Sequence, residues 1–123
     1  LLGGLGNDAL TGGSGSDYFY FNTALNAATN RDTITDYNAA ADTIRLENTG
    51  VGLFNTLALG TLNAQFFKAN ATGTATDTND RIIYNTVTRA LFYDVNGSAA
   101  VGAVQFATLT SHPTITAADF VVI

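Results

Sequence analysis

Two aspartates in glycine-rich surroundings are the residues best placed to do chemistry. Asp8 and Asp17 are sixth in two consecutive nonapeptides, 3–11 and 12–20, which share the pattern G-G-x-G-x-D-x-U-x with U a large apolar residue. Calcium accepts carboxylates and backbone carbonyls as ligands, and glycine lets a loop turn successive carbonyls toward one ion because positive φ costs it little. The pattern predicts calcium binding; the alternative is two glycine-rich turns capped by aspartates. The predicted ligand-bearing residues of these loops are Gly4, Gly6, Asp8, Gly13, Gly15 and Asp17.

The same nine-residue period predicts the elements that position these loops. It is typical of a parallel β-helix turn, in which a glycine-rich loop precedes a short strand with an inward apolar side chain, here Leu10 or Phe19. Successive nonapeptides lie on opposite sides of such a roll, so Asp8 and Asp17 are not expected to share an ion. Each site would form between loops two repeats apart, stacked at about 4.8 Å. Leu1 and Leu2 fit the end of a preceding nonapeptide, and we therefore expect at least one half-site to be incomplete.

These nonapeptides resemble the calcium-binding repeats of the repeats-in-toxin (RTX, hemolysin-type) family of secreted bacterial proteins. The resemblance continues past the repeats: D-x-I-x-D-Tyr at 32–37 and D-x-I-x-L at 42–46 are similar to the segment that follows the last repeat in serralysin-like proteases. Residues 81–97 resemble the hairpin of the family's C-terminal cap, and 116–123 its chain end. The implied fold is all-β: the end of a parallel β-roll (1–21), followed by a β-rich, sandwich-like C-terminal cap with short helical turns (22–123), as one continuous folding unit.

The resemblance also implies further site residues. Asp32 stands where the family's last site is closed against a repeat loop, whereas Leu25 and Asn26 occupy the region of an acidic residue that often assists there. Asp36 is a second candidate calcium ligand, and its alternative role is a turn residue whose side chain bonds nearby N–H groups. Asp42 has the same two roles, with the turn favoured.

Strand-type patterns cover most of the remaining chain. Residues 18–21 form an aromatic run of high strand propensity. The alternating segments 32–37 and 42–46 predict either a hairpin or two edge turns. Segments 81–84 and 90–93 predict a second hairpin, with Arg89 where the family has glycine, followed by a turn at 94–97. The last strands are expected at 101–106 and 120–123. Residues 61–67 echo 114–121, and Thr116 with Asp119 has the spacing of a helix cap.

Composition narrows the function. With 123 residues, 46% of them hydrophobic, the chain is long enough for one domain with a core, and its net charge of −5 disfavours nucleic acid as a partner. It has no cysteine, no apolar run long enough to span a membrane and no H-E-x-x-H motif, and its only histidine, His112, adjoins Pro113 in a polar segment. We expect no enzymatic activity in this chain.

The functional prediction is a non-catalytic calcium-binding module of a larger extracellular protein. The resemblance implies that calcium drives its folding after export and that a type I exporter reads the chain end. We expect a monomer. The alternatives are a module that binds polysaccharide or another surface, and a structural spacer of an adhesin or surface layer.

Overall fold

Short strands separated by glycine- and asparagine-rich turns make up the computed structural model, which describes residues 1–97 and 101–123. Within these residues only two single 3-10 turns accompany the strands, Ala64–Phe66 and Ala117–Asp119. The strands are β1 (Ala9–Leu10), β2 (Tyr18–Phe21), β3 (Asp32–Ile34), β4 (Thr43–Leu46), β5 (Gly60–Thr61), β6 (Phe67–Asn70), β7 (Ile82–Asn85), β8 (Ala90–Asp94), β9 (Ala103–Leu109) and β10 (Phe120–Val122). The predicted all-β fold is confirmed.

The strands form two sheets, and the first four strands alternate between them. One sheet has the order β1-β3-β9-β8-β7-β6 and the other has the order β2-β4-β10-β5. β1 pairs in parallel with β3, and β2 with β4, as successive turns of a roll require. Leu2 forms a parallel bridge with Tyr20, so the first residues occupy the place expected of a preceding repeat. β3 and β4 lie in different sheets, and of the two predicted arrangements the structure therefore shows the edge turns.

Stacked apolar side chains fill the space between the sheets. Leu10, Ile34 and Leu109 are aligned across β1, β3 and β9, and all three are buried. In the second sheet a matching column contains Phe19, Ile44 and Phe120. The last part of the chain thus returns to the roll and adds one strand to each sheet. One hydrophobic cluster joins the two parts of the sequence.

The middle of the chain supplies the predicted second hairpin. β7 and β8 pair antiparallel, with Ile83 opposite Phe92. Arg89 in the connecting turn has φ 67°, the left-handed conformation that explains why glycine suits this position. Gly97, in the turn after β8, has φ 69°. The hairpin and the turn are both confirmed.

The two echoing segments form the predicted helical turns. Asn63 caps the first turn by accepting a hydrogen bond from Gln65 N. Thr116 and Asp119 cap the second with a reciprocal capping box. Each turn runs directly into a strand, β6 or β10. Within the described residues, no helix has the length and hydropathy needed to cross a bilayer.

Candidate metal centre

Parallel pairing brings the aspartates of the nonapeptides beside aspartates further along the chain. Ala9 is aligned with Thr33, so Asp8 lies beside Asp32, and Asp8 N donates a 3.0 Å hydrogen bond to Asp32 Oδ1. Tyr18 is aligned with Thr43 in the other sheet, and Asp17 N donates to Asp42 Oδ1, also at 3.0 Å. Asp32 and Asp42, which begin the two Asp-Thr-Ile segments, therefore stack beside Asp8 and Asp17 in the next turn of the roll.

The first centre is the gap between Asp8 and Asp32. A Cβ built on Gly3 would lie 2.5 Å from Asp32 Oδ2 and 3.1 Å from Asp8 Oδ2, so both carboxylates border one small space. Asp8 Oδ2 is buried and accepts no hydrogen bond, and Asp32 is only 4% exposed. Buried carboxylates are normally paired or bound to metal, because leaving them bare is costly. The gap therefore has the character of a cation site.

Electrostatics at this gap agree with its geometry. Burial raises the pKa of Asp32; the hydrogen bond from Asp8 N lowers that pKa and the charge of Asp8 raises it, with a net upward shift. A neighbouring negative charge disfavours the ionised form of Asp32. A divalent cation between the two carboxylates would reverse this effect.

The second centre surrounds Asp17. Asp17 Oδ2 is buried without a hydrogen-bond partner, and a Cβ on Gly12 would lie 2.7 Å from it. Asp42 is engaged on both oxygens, because Oδ1 accepts from Asp17 N and Oδ2 accepts from Asn38 N at 2.9 Å. Asp42 thus orders two loops, whereas Asp17 keeps a free oxygen.

The four loop glycines chosen from the sequence all have positive φ. The values are 83° for Gly4, 118° for Gly6, 88° for Gly13 and 106° for Gly15. Residues with a Cβ rarely adopt these values. A Cβ on Gly6 would lie 3.7 Å from Asp8 Oδ2, which places this glycine beside the first centre.

Asp36 lies against the loop of the second nonapeptide and not in the gap between Asp8 and Asp32. Its oxygens accept hydrogen bonds from Gly12 N at 2.9 Å and Gly13 N at 2.7 Å. These two bonds lower the pKa of Asp36. The geometry matches the alternative role of a loop-ordering carboxylate, and calcium ligation by Asp36 stays a prediction. Asn26 closes a local turn by accepting from Ala28 N and Thr29 N.

The donor set fits calcium only if the backbone contributes. Across the described ranges, no three His, Cys, Asp or Glu side chains come together in a way that could hold a metal. Each centre offers one or two carboxylates beside a glycine loop, so the remaining ligands would be carbonyl oxygens, which calcium accepts readily. Asp8 lies on one side of Asp32, but no aspartate lies on the other side, where Asp32 is aligned with Ala107.

The turn role favoured for Asp42 agrees with its hydrogen bonds, but its position beside Asp17 was not predicted. A detectable signal existed, since Asp42 follows Asp17 by 25 residues, nearly the 24-residue separation of Asp8 and Asp32, and both partners begin an Asp-Thr-Ile segment. His112 lies in an exposed turn, as expected, with φ 59°. Its Nδ1 accepts a hydrogen bond from Arg89 Nε.

Fold and centre together define a class: the end of a parallel β-roll, with glycine–aspartate loops, closed by a β-rich cap. The family model described as Peptidase M10 serralysin C terminal matches residues 1–122, and the chain belongs to this family. The resemblance to the serralysin-like C-terminal region is confirmed. Proteins of the serralysin type are secreted, and their C-terminal domains are associated with calcium in general. A search of curated protein sequences found no match to this chain.

Proposed function

We propose that this chain is a non-catalytic, calcium-binding C-terminal module of a larger secreted bacterial protein, and that calcium drives its folding after export. The observation that carries the proposal is the buried, unpartnered Oδ2 of Asp8 beside Asp32, under a loop of positive-φ glycines. A fold that leaves such an oxygen bare is destabilised unless a cation or donor completes it. Membership of the serralysin C-terminal family supports the same function.

The residues of this chain would act as follows. Asp8 and Asp32 hold the ion of the first centre, and Asp17 holds that of the second, each with carbonyls of the adjoining glycine loop. Asp42 and Asp36 orient the second loop through their hydrogen bonds to backbone N–H groups. Bound calcium neutralises the carboxylates and adds RT ln(1 + [Ca]/Kd) to stability, about 2.7 kcal/mol per site at 100 Kd. In the low calcium of the cytosol the same carboxylates repel one another, which favours an unfolded, exportable chain.

Calorimetric titration tests the proposal. We expect one or two calcium sites and much weaker magnesium binding, because magnesium demands tight octahedral geometry. Asp17→Asn should weaken calcium binding more than Asp42→Asn, since only Asp17 has an unpartnered oxygen. Equal binding of the two metals, or no heat at millimolar calcium, would refute the assignment.

Export through a type I exporter is the second part of the proposal. Its support is the family membership together with the segment 119–123, where Asp119 precedes four apolar residues. The extracellular module would be a monomer. Secretion of an independently folding passenger fused to this chain, and its loss on deletion of residues 119–123, is the measurement that checks this part.

One surface favours a second function, polysaccharide binding. Tyr18 and Tyr20 point away from the core, and Tyr18 is 45% exposed. The Arg45 guanidinium lies 4.0 Å from the Tyr18 ring centroid and donates a 3.0 Å hydrogen bond to Tyr20 Oη. Aromatic rings beside a guanidinium on an open sheet face suit sugar stacking. Retardation on immobilised polysaccharide that Tyr18→Ala abolishes would support this function, and unretarded wild-type protein would exclude it.

A further inference from the structure

A cavity between the β7–β8 hairpin and residues 113–115 lies outside the candidate metal centre. Its volume is about 260 Å³. It is lined by the apolar residues Ala69, Pro113 and Ile115 together with Tyr84 and Arg89. We propose that this cavity binds the carboxylate of a small organic acid, with Arg89 as the anion-binding residue. The inference goes beyond calcium binding and does not depend on it.

The Arg89 guanidinium is held in place while much of its binding capacity stays available. Nε donates to His112 Nδ1 at 2.9 Å, and Nη1 makes a longer 3.5 Å contact with the Tyr84 hydroxyl. The Tyr84 hydroxyl donates in turn to Pro113 O at 3.0 Å. A guanidinium carries five N–H donors in a planar fork that matches a carboxylate. In the part of the chain that the structure describes, the donors not used in these two contacts have no protein acceptor.

The backbone on both sides of this contact adopts an uncommon conformation. Arg89 has φ 67° and His112 has φ 59°, the two positive-φ non-glycine residues among those described. The two residues bond to each other through their side chains. Left-handed conformations of residues with a Cβ are disfavoured and concentrate at functional sites. A role for the side chain explains why arginine occupies a position that glycine would fit with less strain.

Charge and size point to a small carboxylate as the ligand. No acidic residue lines the cavity, although the whole chain carries a net charge of −5. The cavity is somewhat smaller than the roughly 300–1,000 Å³ typical of sites for drug-sized ligands. A short apolar body would contact Pro113 and Ile115 while its carboxylate meets Arg89. Thr86 and Thr114 also line the cavity.

Solution NMR with benzoate as the probe and benzamide as its uncharged counterpart tests the proposal. We expect benzoate to shift the amide signals of Ala69, Thr86 and Ile115, and benzamide to leave them nearly unchanged. Arg89→Gly should lower benzoate affinity about tenfold or more, since a hydrogen-bonded charge contact is lost. This variant also relieves the positive φ, so its melting temperature should not fall. Arg31→Gln removes an exposed positive charge elsewhere and should leave the affinity unchanged.

Each contrary result overturns the proposal. Equal shifts with benzoate and benzamide would show that the carboxylate is not recognised. Unaltered benzoate binding by a folded Arg89→Gly variant would remove Arg89 from the site. Equal losses in Arg89→Gly and Arg31→Gln would reduce the effect to net charge, and the absence of any shift at saturating probe would exclude a carboxylate site.

Discussion

At the scale of single residues, the aspartates divide into those that order loops and those that keep a free oxygen. Asp36 and Asp42 use both oxygens on backbone N–H groups. Asp8 and Asp17 each have a buried Oδ2 with no hydrogen-bond partner. Hydrogen bonds stabilise the first pair without metal, whereas under the proposed function a cation would offset the burial of the second pair. All four side chains are aspartates, so the two groups differ only in their hydrogen-bond partners.

We predict that Asp32→Asn stabilises the metal-free protein at pH 7 and removes its stabilisation by calcium at the first centre. The asparagine Oδ1 can still accept the hydrogen bond from Asp8 N, while the charge beside Asp8 is gone. The lost calcium effect should be about 2.7 kcal/mol at 100 Kd. Thermal melts in chelator and in calcium measure both changes, with Asp77→Asn as an exposed, charge-matched control.

The pH dependence follows from the raised pKa of Asp32. The folded metal-free chain holds this proton more tightly than the unfolded chain does. Its stability therefore declines as the pH rises from the ordinary aspartate pKa through the raised folded value. Asp32→Asn should flatten this part of the curve in chelator. A lower melting temperature for Asp32→Asn in chelator would contradict the interpretation that the buried charge of Asp32 destabilises the metal-free protein.

At the scale of elements, each capped 3-10 turn leads directly into a short strand. The second 3-10 turn is capped by Thr116 and Asp119, and it leads into β10, which lies between β4 and β5. Asp119 also accepts a 3.0 Å hydrogen bond from the buried Tyr37 hydroxyl. This turn thus fixes the entry of the chain into the four-stranded sheet.

We predict that Thr116→Ala lowers the free energy of unfolding by about 1 kcal/mol, the usual loss for a threonine N-cap. The substitution removes the hydroxyl that accepts from Ala118 N. Urea denaturation in calcium measures the change. Thr61→Ala, at an exposed strand position, is the matched control and should be nearly neutral. Equal losses for the two variants would mean that the hydroxyl cap contributes little.

At the scale of the whole molecule, one core spans regions that differ in their predicted need for metal. The inner strands β7 and β8 are paired on both sides, and Ile82, Ile83 and Leu91 are fully buried. The glycine loops instead carry Asp8 and Asp17, whose buried Oδ2 atoms have no hydrogen-bond partner. Asp94 at the end of β8 also has a bare Oδ2, but its Oδ1 accepts two backbone hydrogen bonds. Metal removal should therefore loosen the loops before the hairpin.

We predict that hydrogen exchange will show calcium-dependent protection for the amides of Asp8 and Asp17, which donate to carboxylates of the candidate centres. The Val87 amide donates to the uncharged Asn85 Oδ1 at 2.9 Å in the turn between β7 and β8 and is an internal control. It should stay protected in chelator, together with β7 and β8. Loss of protection at Val87 and β7 in chelator would show that the cap also depends on metal.

The sequence by itself determined the features that rest on local pattern. The nonapeptides predicted the alternating strands β1 and β2, and the Thr116–Asp119 spacing predicted the second capped turn. The β7–β8 hairpin was equally readable, because its two strands are adjacent in the chain and need one turn. In each case the residues that decide the structure lie within a few positions of one another.

Tertiary structure alone decided the relations between distant segments. Parallel register pairs Asp17 with Asp42 and places Ala107 on the other side of Asp32. Antiparallel pairing of β8 with β9 brings His112 to Arg89 across 23 residues. A parallel pair needs a long crossover, and no local turn sets its register. The register is set instead by the burial of apolar columns such as Phe19, Ile44 and Phe120, whose partners are known only once the sheets have formed.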